Sequence, residues 1–110
     1  MKIEKSLLSG STTMLVLALL KDGDKYGYEM VTELARRSDD TFALKEGTLY
    51  PLLHSLEKEK LVRSYTKESG GRQRKYYALT DDGKERLEYK EREWKLFSEK
   101  VMAVLHPMGA

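Results

Sequence analysis

The sequence predicts a mainly α-helical fold carrying one small β-hairpin. Apolar residues recur at helical spacing in several stretches, most cleanly at Leu49, Leu52, Leu53 and Leu56, which fall at i, i+3, i+4 and i+7. The run Leu61–Thr80, LVRSYTKESGGRQRKYYALT, places two segments rich in Val, Tyr, Arg and Thr on either side of Gly70-Gly71, the pattern of a hairpin. A charged stretch from Asp81 to about Leu105 keeps Leu87, Trp94 and Val101 seven residues apart, as a long helix with one apolar seam does.

The elements follow in order. Residues 1–10 read as a loosely held arm. Ser11 or Thr12 can cap a helix through Met14–Leu20, which Asp22-Gly23 ends. That helix is apolar on nearly all sides, so it is expected to be buried on more than one face, one of them available to a second subunit. Tyr26-Gly27-Tyr28 opens the next helix, with Tyr28, Val31, Leu34 and Ala35 as its apolar stripe and Arg36-Arg37 in the last turn, where the macrodipole favours positive charge. Ser38-Asp39-Asp40 stops it, and Thr41–Leu44 is expected as a short strand. Residues 46–60 form the leucine-striped helix. It contains Pro51, which falls in the unpaired first turn if the helix starts near Thr48, and leaves the Gly47 carbonyl without a donor if it starts at Glu46. The hairpin and the long helix complete the chain, with His106-Pro107 as its end.

With 110 residues, 40% of them apolar and 35% charged, the chain has material for one thin core, and oligomerisation is a common supplement at this size. The absence of cysteine excludes disulfides and thiolate metal sites. No signal peptide is read in MKIEKSLLSGSTT, and the longest apolar run, Met14–Leu20, is far short of the roughly 20 residues that span a bilayer. A soluble cytoplasmic protein is therefore expected. Enzyme chemistry finds little support. The two histidines have no partner at metal spacing, Glu57 and Glu59 point to different sides of a helix, and Gly70-Gly71 lacks the Lys-Ser/Thr of a phosphate loop. No cofactor and no metal are expected.

The net charge of +2 hides an asymmetry: Arg63, Lys67, Arg72, Arg74 and Lys75 crowd the hairpin, with Glu68 the only acid among them. On helix 46–60 the face opposite the leucines carries Gly47, Pro51, His54 and Lys58, flanked by Tyr50 on one side and by Ser55 and Thr48 on the other. A small, smooth leading edge followed by hydroxyl, imidazole and ammonium groups suits a helix laid in a major groove. Taken alone the face reads better as ordinary surface, and the hairpin as a solvated turn. Together, in the order helix, helix, strand, helix, hairpin, they form a winged helix-turn-helix pattern, and a narrow arginine-bearing tip suits a minor groove.

The motifs GTLYPLLHSLEKEKLV and GGRQRKYYALTDDGKERL, with YGYEM upstream, resemble the PadR family of bacterial transcription regulators, over about Leu15–Leu87. The resemblance implies a homodimeric winged helix-turn-helix repressor with residues 46–60 as recognition helix and the Gly70-Gly71 hairpin as wing. The single C-terminal helix is similar to that of the shorter, PadR-like subgroup. The expected organisation is residues 1–80 as the DNA-binding domain with its arm and 81–110 as a dimerisation helix. The candidate DNA-contacting residues are Tyr28, Lys45, Gly47, Thr48, Tyr50, Pro51, His54, Ser55, Lys58, Gly70, Gly71, Arg72 and Arg74.

In the last helix Phe97 and Val104 fall three beyond Trp94 and Val101, extending an a/d seam that Lys90 interrupts. So narrow a seam is expected to pack on a partner subunit, and Leu15, Leu19, Leu87, Trp94, Phe97, Val101 and Val104 are the expected dimer interface. Trp94 is first an aromatic anchor in that seam. In some PadR-like regulators a tryptophan at the matching position stacks planar drugs, so the resemblance also implies a planar aromatic effector held by Trp94 and Phe97.

Overall fold

The computed structural model describes residues 1–107. Among these residues five helices and three strands follow one another as α1 (Lys5–Ser9), α2 (Thr12–Lys21), β1 (Lys25–Tyr26), α3 (Gly27–Arg37), α4 (Glu46–Lys58), β2 (Val62–Ser69), β3 (Arg72–Leu79) and α5 (Asp81–Leu105). The strands form one antiparallel sheet in the order β1-β3-β2.

Helix α2 is the centre of the core. None of its residues from Thr12 to Leu20 is exposed, and Val16, Leu17, Leu19 and Leu20 are fully covered. Met30 and Leu34 of α3, Leu49, Leu53 and Leu56 of α4, Val62 and Tyr77 of the hairpin, and Leu87 of α5 close around it. The leucine phase of α4 is therefore as expected, with Leu52 at the edge of the same stripe.

The start of α4 at Glu46 settles the place of Pro51. It stands in the sixth helical position, inside the hydrogen-bonded ladder, so the carbonyl of Gly47 loses its i+4 donor. Such a proline costs about 3 kcal/mol. Leu49, Leu53 and Leu56, fully buried at about 1.5–3 kcal/mol each, outweigh it. Gly47 is exposed, so water can serve its carbonyl.

Four expectations need correction. The first ten residues are not all an arm, because α1 closes one helical turn and a half; a five-residue helix is too short to show periodicity. The short strand lies at Lys25–Tyr26, paired to Tyr77 and Tyr76, while Phe42–Lys45 is irregular chain. The buried stripe of α3 begins at Gly27 and Met30 rather than Tyr28, which is 54% exposed. Finally, Leu19 and Leu87 are each 2% exposed within this one chain, so they belong to its own core and have no surface to offer a partner; Leu15 packs half-buried against the same core.

The hairpin turn is as tight as two residues allow. Ser69 pairs with Arg72, and Gly70 and Gly71 have φ of 61° and 76°. Both centres of a type I′ turn need positive φ, which is why two glycines stand there. Thr80 then caps α5: its hydroxyl accepts from the Gly83 amide at 3.0 Å and donates to the Lys60 carbonyl at 2.7 Å. A β-carbon on Gly83 would stand 2.1 Å from the Leu61 carbonyl oxygen, so only glycine lets α5 start this close to β2. From Leu87 onward the helix leaves the core, and the molecule measures 60 × 31 × 21 Å.

Candidate nucleic-acid interface

Burying Leu49, Leu53 and Leu56 turns the opposite side of α4 outward. Lys45, at the N-cap, and Gly47, Thr48, Tyr50, Pro51, His54, Ser55 and Lys58 are all exposed. This face begins with a glycine and a proline, rises through hydroxyl groups and ends in an imidazole and an ammonium.

Tyr50 is less free than the rest. Its ring end lies against the backbone of Gly27, so that a β-carbon there would meet the hydroxyl oxygen at 2.5 Å. The phenol thus joins the outer face of α4 to the start of α3, where Tyr28 is exposed. The Glu29 carboxylate accepts from the Tyr26 amide at 3.1 Å and orders the same turn. At the other end of α3, Arg37 reaches Asp22 of the α2–β1 loop at 2.7 Å and Glu33 at 2.7 Å, holding α2 and α3 in register. The hydrogen bonds from Arg36 and then Arg37 lower the Glu33 pKa to about 2.

Glu57 fixes α4 to the hairpin. Its carboxylate accepts from the Ser64 hydroxyl of β2 and lies 3.9 Å from Lys75 Nζ of β3. Glu59 points the other way, 3.8 Å from Arg86 of α5. Of the five hairpin cations, Lys75 therefore serves the joint. Arg63, Lys67, Arg72 and Arg74 have no ion pair among the described residues.

The register divides the hairpin into two faces. Ser64, Tyr77 and Lys75 face α4. Arg63, Tyr65, Lys67, Tyr76 and Arg74 share the outer face, joined by Tyr26 of β1. There Tyr76 stacks on Tyr65 at 5.8 Å and meets Tyr26 edge-on at 5.4 Å. Cations lie over these rings: Arg63 over Tyr65 at 5.7 Å, Lys67 over Tyr76 at 4.8 Å and Arg74 over Tyr26 at 4.4 Å. Sequence reasoning names Arg74 but misses the tyrosines beneath, because their adjacency depends on strand register. Alternation of Tyr65, Lys67 with Arg74, Tyr76 was the available signal. Arg72 stays exposed beside Gly70-Gly71 at the tip, whereas Arg74 is half-buried.

The second candidate surface lies on α5. Trp94 is 52% exposed, Phe97 61% and Val104 79%, with Val101 also exposed. Trp94 and Phe97 join Leu7 of α1, Met14 of α2, and Lys90 and Glu93 around a hollow of about 460 Å³. Among the described residues no cluster of His, Cys, Asp or Glu is arranged to hold a metal ion. No described helix is long and apolar enough to cross a membrane.

Comparison with known proteins finds the same fold in one family. The sequence model of the transcriptional regulator PadR-like family matches residues 16–89. A Lysinibacillus sphaericus protein is 34% identical over 93 residues, covering 84% of this chain and 85% of that one. A PadR family transcriptional regulator from Eggerthella lenta superposes with a TM-score of 0.82 at 34% identity, over 93% of this chain and 88% of that one. A PadR-like transcriptional regulator from Bacillus cereus gives 0.81 at 37% identity, over 93% and 98%.

Proposed function

Because this chain belongs to the PadR-like family, whose members are transcriptional regulators and not enzymes, we propose that it is a homodimeric repressor that binds an inverted-repeat operator. Helix α4 enters the major groove, and the β2–β3 wing lies on the flanking minor groove or backbone. Residues 1–80 carry the DNA contacts and residues 81–110 the dimer contacts, of which 108–110 lie outside the described residues. The observation that carries this reading is the pairing of an exposed, smooth α4 face with a wing on which Arg63, Lys67, Arg72 and Arg74 lack carboxylate partners among the described residues, the two joined where Glu57 meets Ser64 and Lys75.

Direct base readout through α4 is modest, since no Arg, Asn or Gln stands between Lys45 and Lys60. His54, the wing tip and DNA shape then supply most of the discrimination. A gel-shift titration with DNA from upstream of the protein's own gene tests this. Binding should fall steeply as salt rises, because phosphate contacts release counterions. Equal affinity for random DNA would sink the sequence-specific reading and favour a sensing or interaction module with weak DNA binding.

The hollow beside Trp94 and Phe97 supports a further part of the reading, a planar aromatic effector taken between α1 and α5. Trp94 is the only tryptophan, so quenching of its emission by a planar cationic dye reports occupancy. Unchanged emission at saturating dye would overturn it.

A further inference from the structure

Lys67 and Arg74 stand directly opposite each other on β2 and β3. Like charges so placed repel and spread apart. Here each is drawn onto a different ring, Lys67 onto Tyr76 and Arg74 onto Tyr26. The rings are themselves fixed. Tyr76 is held between Tyr65 and Tyr26, and the Tyr65 hydroxyl donates to Asp24 at 2.6 Å, which anchors the row to the loop before β1. Arg74 Nε also donates to the Ser69 carbonyl at 3.4 Å, next to the hairpin turn.

Seating a cation on a neutral ring differs from pairing it with a carboxylate. Both restrict a long side chain and so lower the entropy lost when it meets a ligand. Only the carboxylate cancels the charge. Lys75 lies beside the opposite charge of Glu57, at 3.9 Å; Arg74 lies over the neutral ring of Tyr26 and has no carboxylate partner among the described residues.

We infer that Tyr26 is a positioning residue for the wing: its ring holds the Arg74 guanidinium apart from Lys67 and presents it to a DNA phosphate along the outer face of the sheet. This rests on the DNA-binding reading above. It also ties the wing to the entry of α3, because Tyr26 is the residue that precedes Gly27.

Phosphate contacts do not depend on sequence, so the test uses a fluorescently labelled mixed-sequence duplex at low salt. Tyr26→Phe keeps the ring and should bind as the parent does. Tyr26→Leu should weaken binding roughly two- to fivefold and flatten the salt dependence toward that of Arg74→Ala. The double variant should be no weaker than Arg74→Ala alone. If Tyr26→Leu binds like the parent while Arg74→Ala is impaired, or if the two losses add, the inference is overturned and DNA binding stands. A parent that does not bind the duplex overturns both. Should Tyr26→Leu fold poorly, the parent alone decides by NMR: the Arg74 side-chain Hε signal should be shifted by the ring current, and an unshifted signal refutes the seat.

Discussion

The phenol of Tyr50 rests on the backbone of Gly27, where a β-carbon would lie 2.5 Å from its oxygen and 2.8 Å from Cζ. One aromatic side chain of α4 thus lies against the first residue of the helix before it. Gly27→Ala forces that ring outward. Because Tyr50 is 38% exposed, it has room to swing, so the cost should fall on DNA affinity more than on stability. Expected are a melting temperature near that of the parent and an affinity loss of up to about tenfold, the worth of one displaced hydrogen bond. Tyr50→Phe should lose affinity similarly while leaving the ring in place. A large drop in melting temperature for either variant would mean that the pair is structural.

Gly83→Ala should behave oppositely. Its β-carbon meets a backbone carbonyl at 2.1 Å and Leu79 Cδ1 at 2.7 Å, and the backbone cannot step aside as a phenol can. Overpacking of this kind costs about 3 kcal/mol or more, which in a domain of this size lowers the melting temperature by roughly 10 °C or more. Thermal unfolding by circular dichroism measures it.

At the wing, Arg72→Ala should reduce the slope of log affinity against log salt by about one unit, the signature of a lost phosphate contact. Lys75→Ala should leave that slope nearly unchanged, since its ammonium faces Glu57. Equal slopes for Arg72→Ala and the parent would place the tip away from DNA.

The seam of α5 separates two kinds of leucine-like residue. Leu87→Ala removes a side chain buried in its own core and should cost about 2–5 kcal/mol of stability. Phe97→Ser and Val104→Ser touch only exposed positions, and should instead shift sedimentation toward a smaller species with little change in the unfolding of the isolated chain. Trp94→Ala distinguishes anchor from stacking plate: loss of self-association marks the first, loss of dye response alone the second.

Glu33 supplies a pH-dependent test. Its pKa is about 2 when folded, against 4.5 as the ordinary value, because Arg36 and Arg37 hydrogen-bond its carboxylate. A depressed folded pKa contributes stability that is complete above the ordinary value and is lost as pH falls through the folded one. Melting temperatures of the parent and of Glu33→Gln should therefore differ most above about pH 5 and converge toward pH 2. A gap that stays constant across that range would refute the pairing.

The large periodic elements were legible because burial repeats along them. Leu49, Leu53 and Leu56 declare one face of α4 and thereby its opposite. The glycine pair declares the turn. What escaped was short or non-local. Two-residue β1 has no pattern of its own and exists only because Tyr76 and Tyr77 pair with it. Tyr28 sits one residue after Gly27, and its bulky ring has the composition of a core residue although the residue without a side chain holds the buried position. Leu87 shares the heptad spacing of Trp94 and Val101, yet it is close enough to the start of α5 to fall on the body of the same chain. Spacing shows which residues share a side of a helix; it does not show where the neighbouring mass ends.

Glu57 couples α4 to both long strands through Ser64 and Lys75. If α4 and the hairpin meet DNA as proposed, this joint sets the distance between them. In a complex with DNA, adjustment then falls on the softer partner: sequences whose grooves already match that distance pay little, and stiff mismatched ones pay the elastic cost of being bent to fit. A chain with few base-reading side chains can in this way select its site by measuring rather than by spelling.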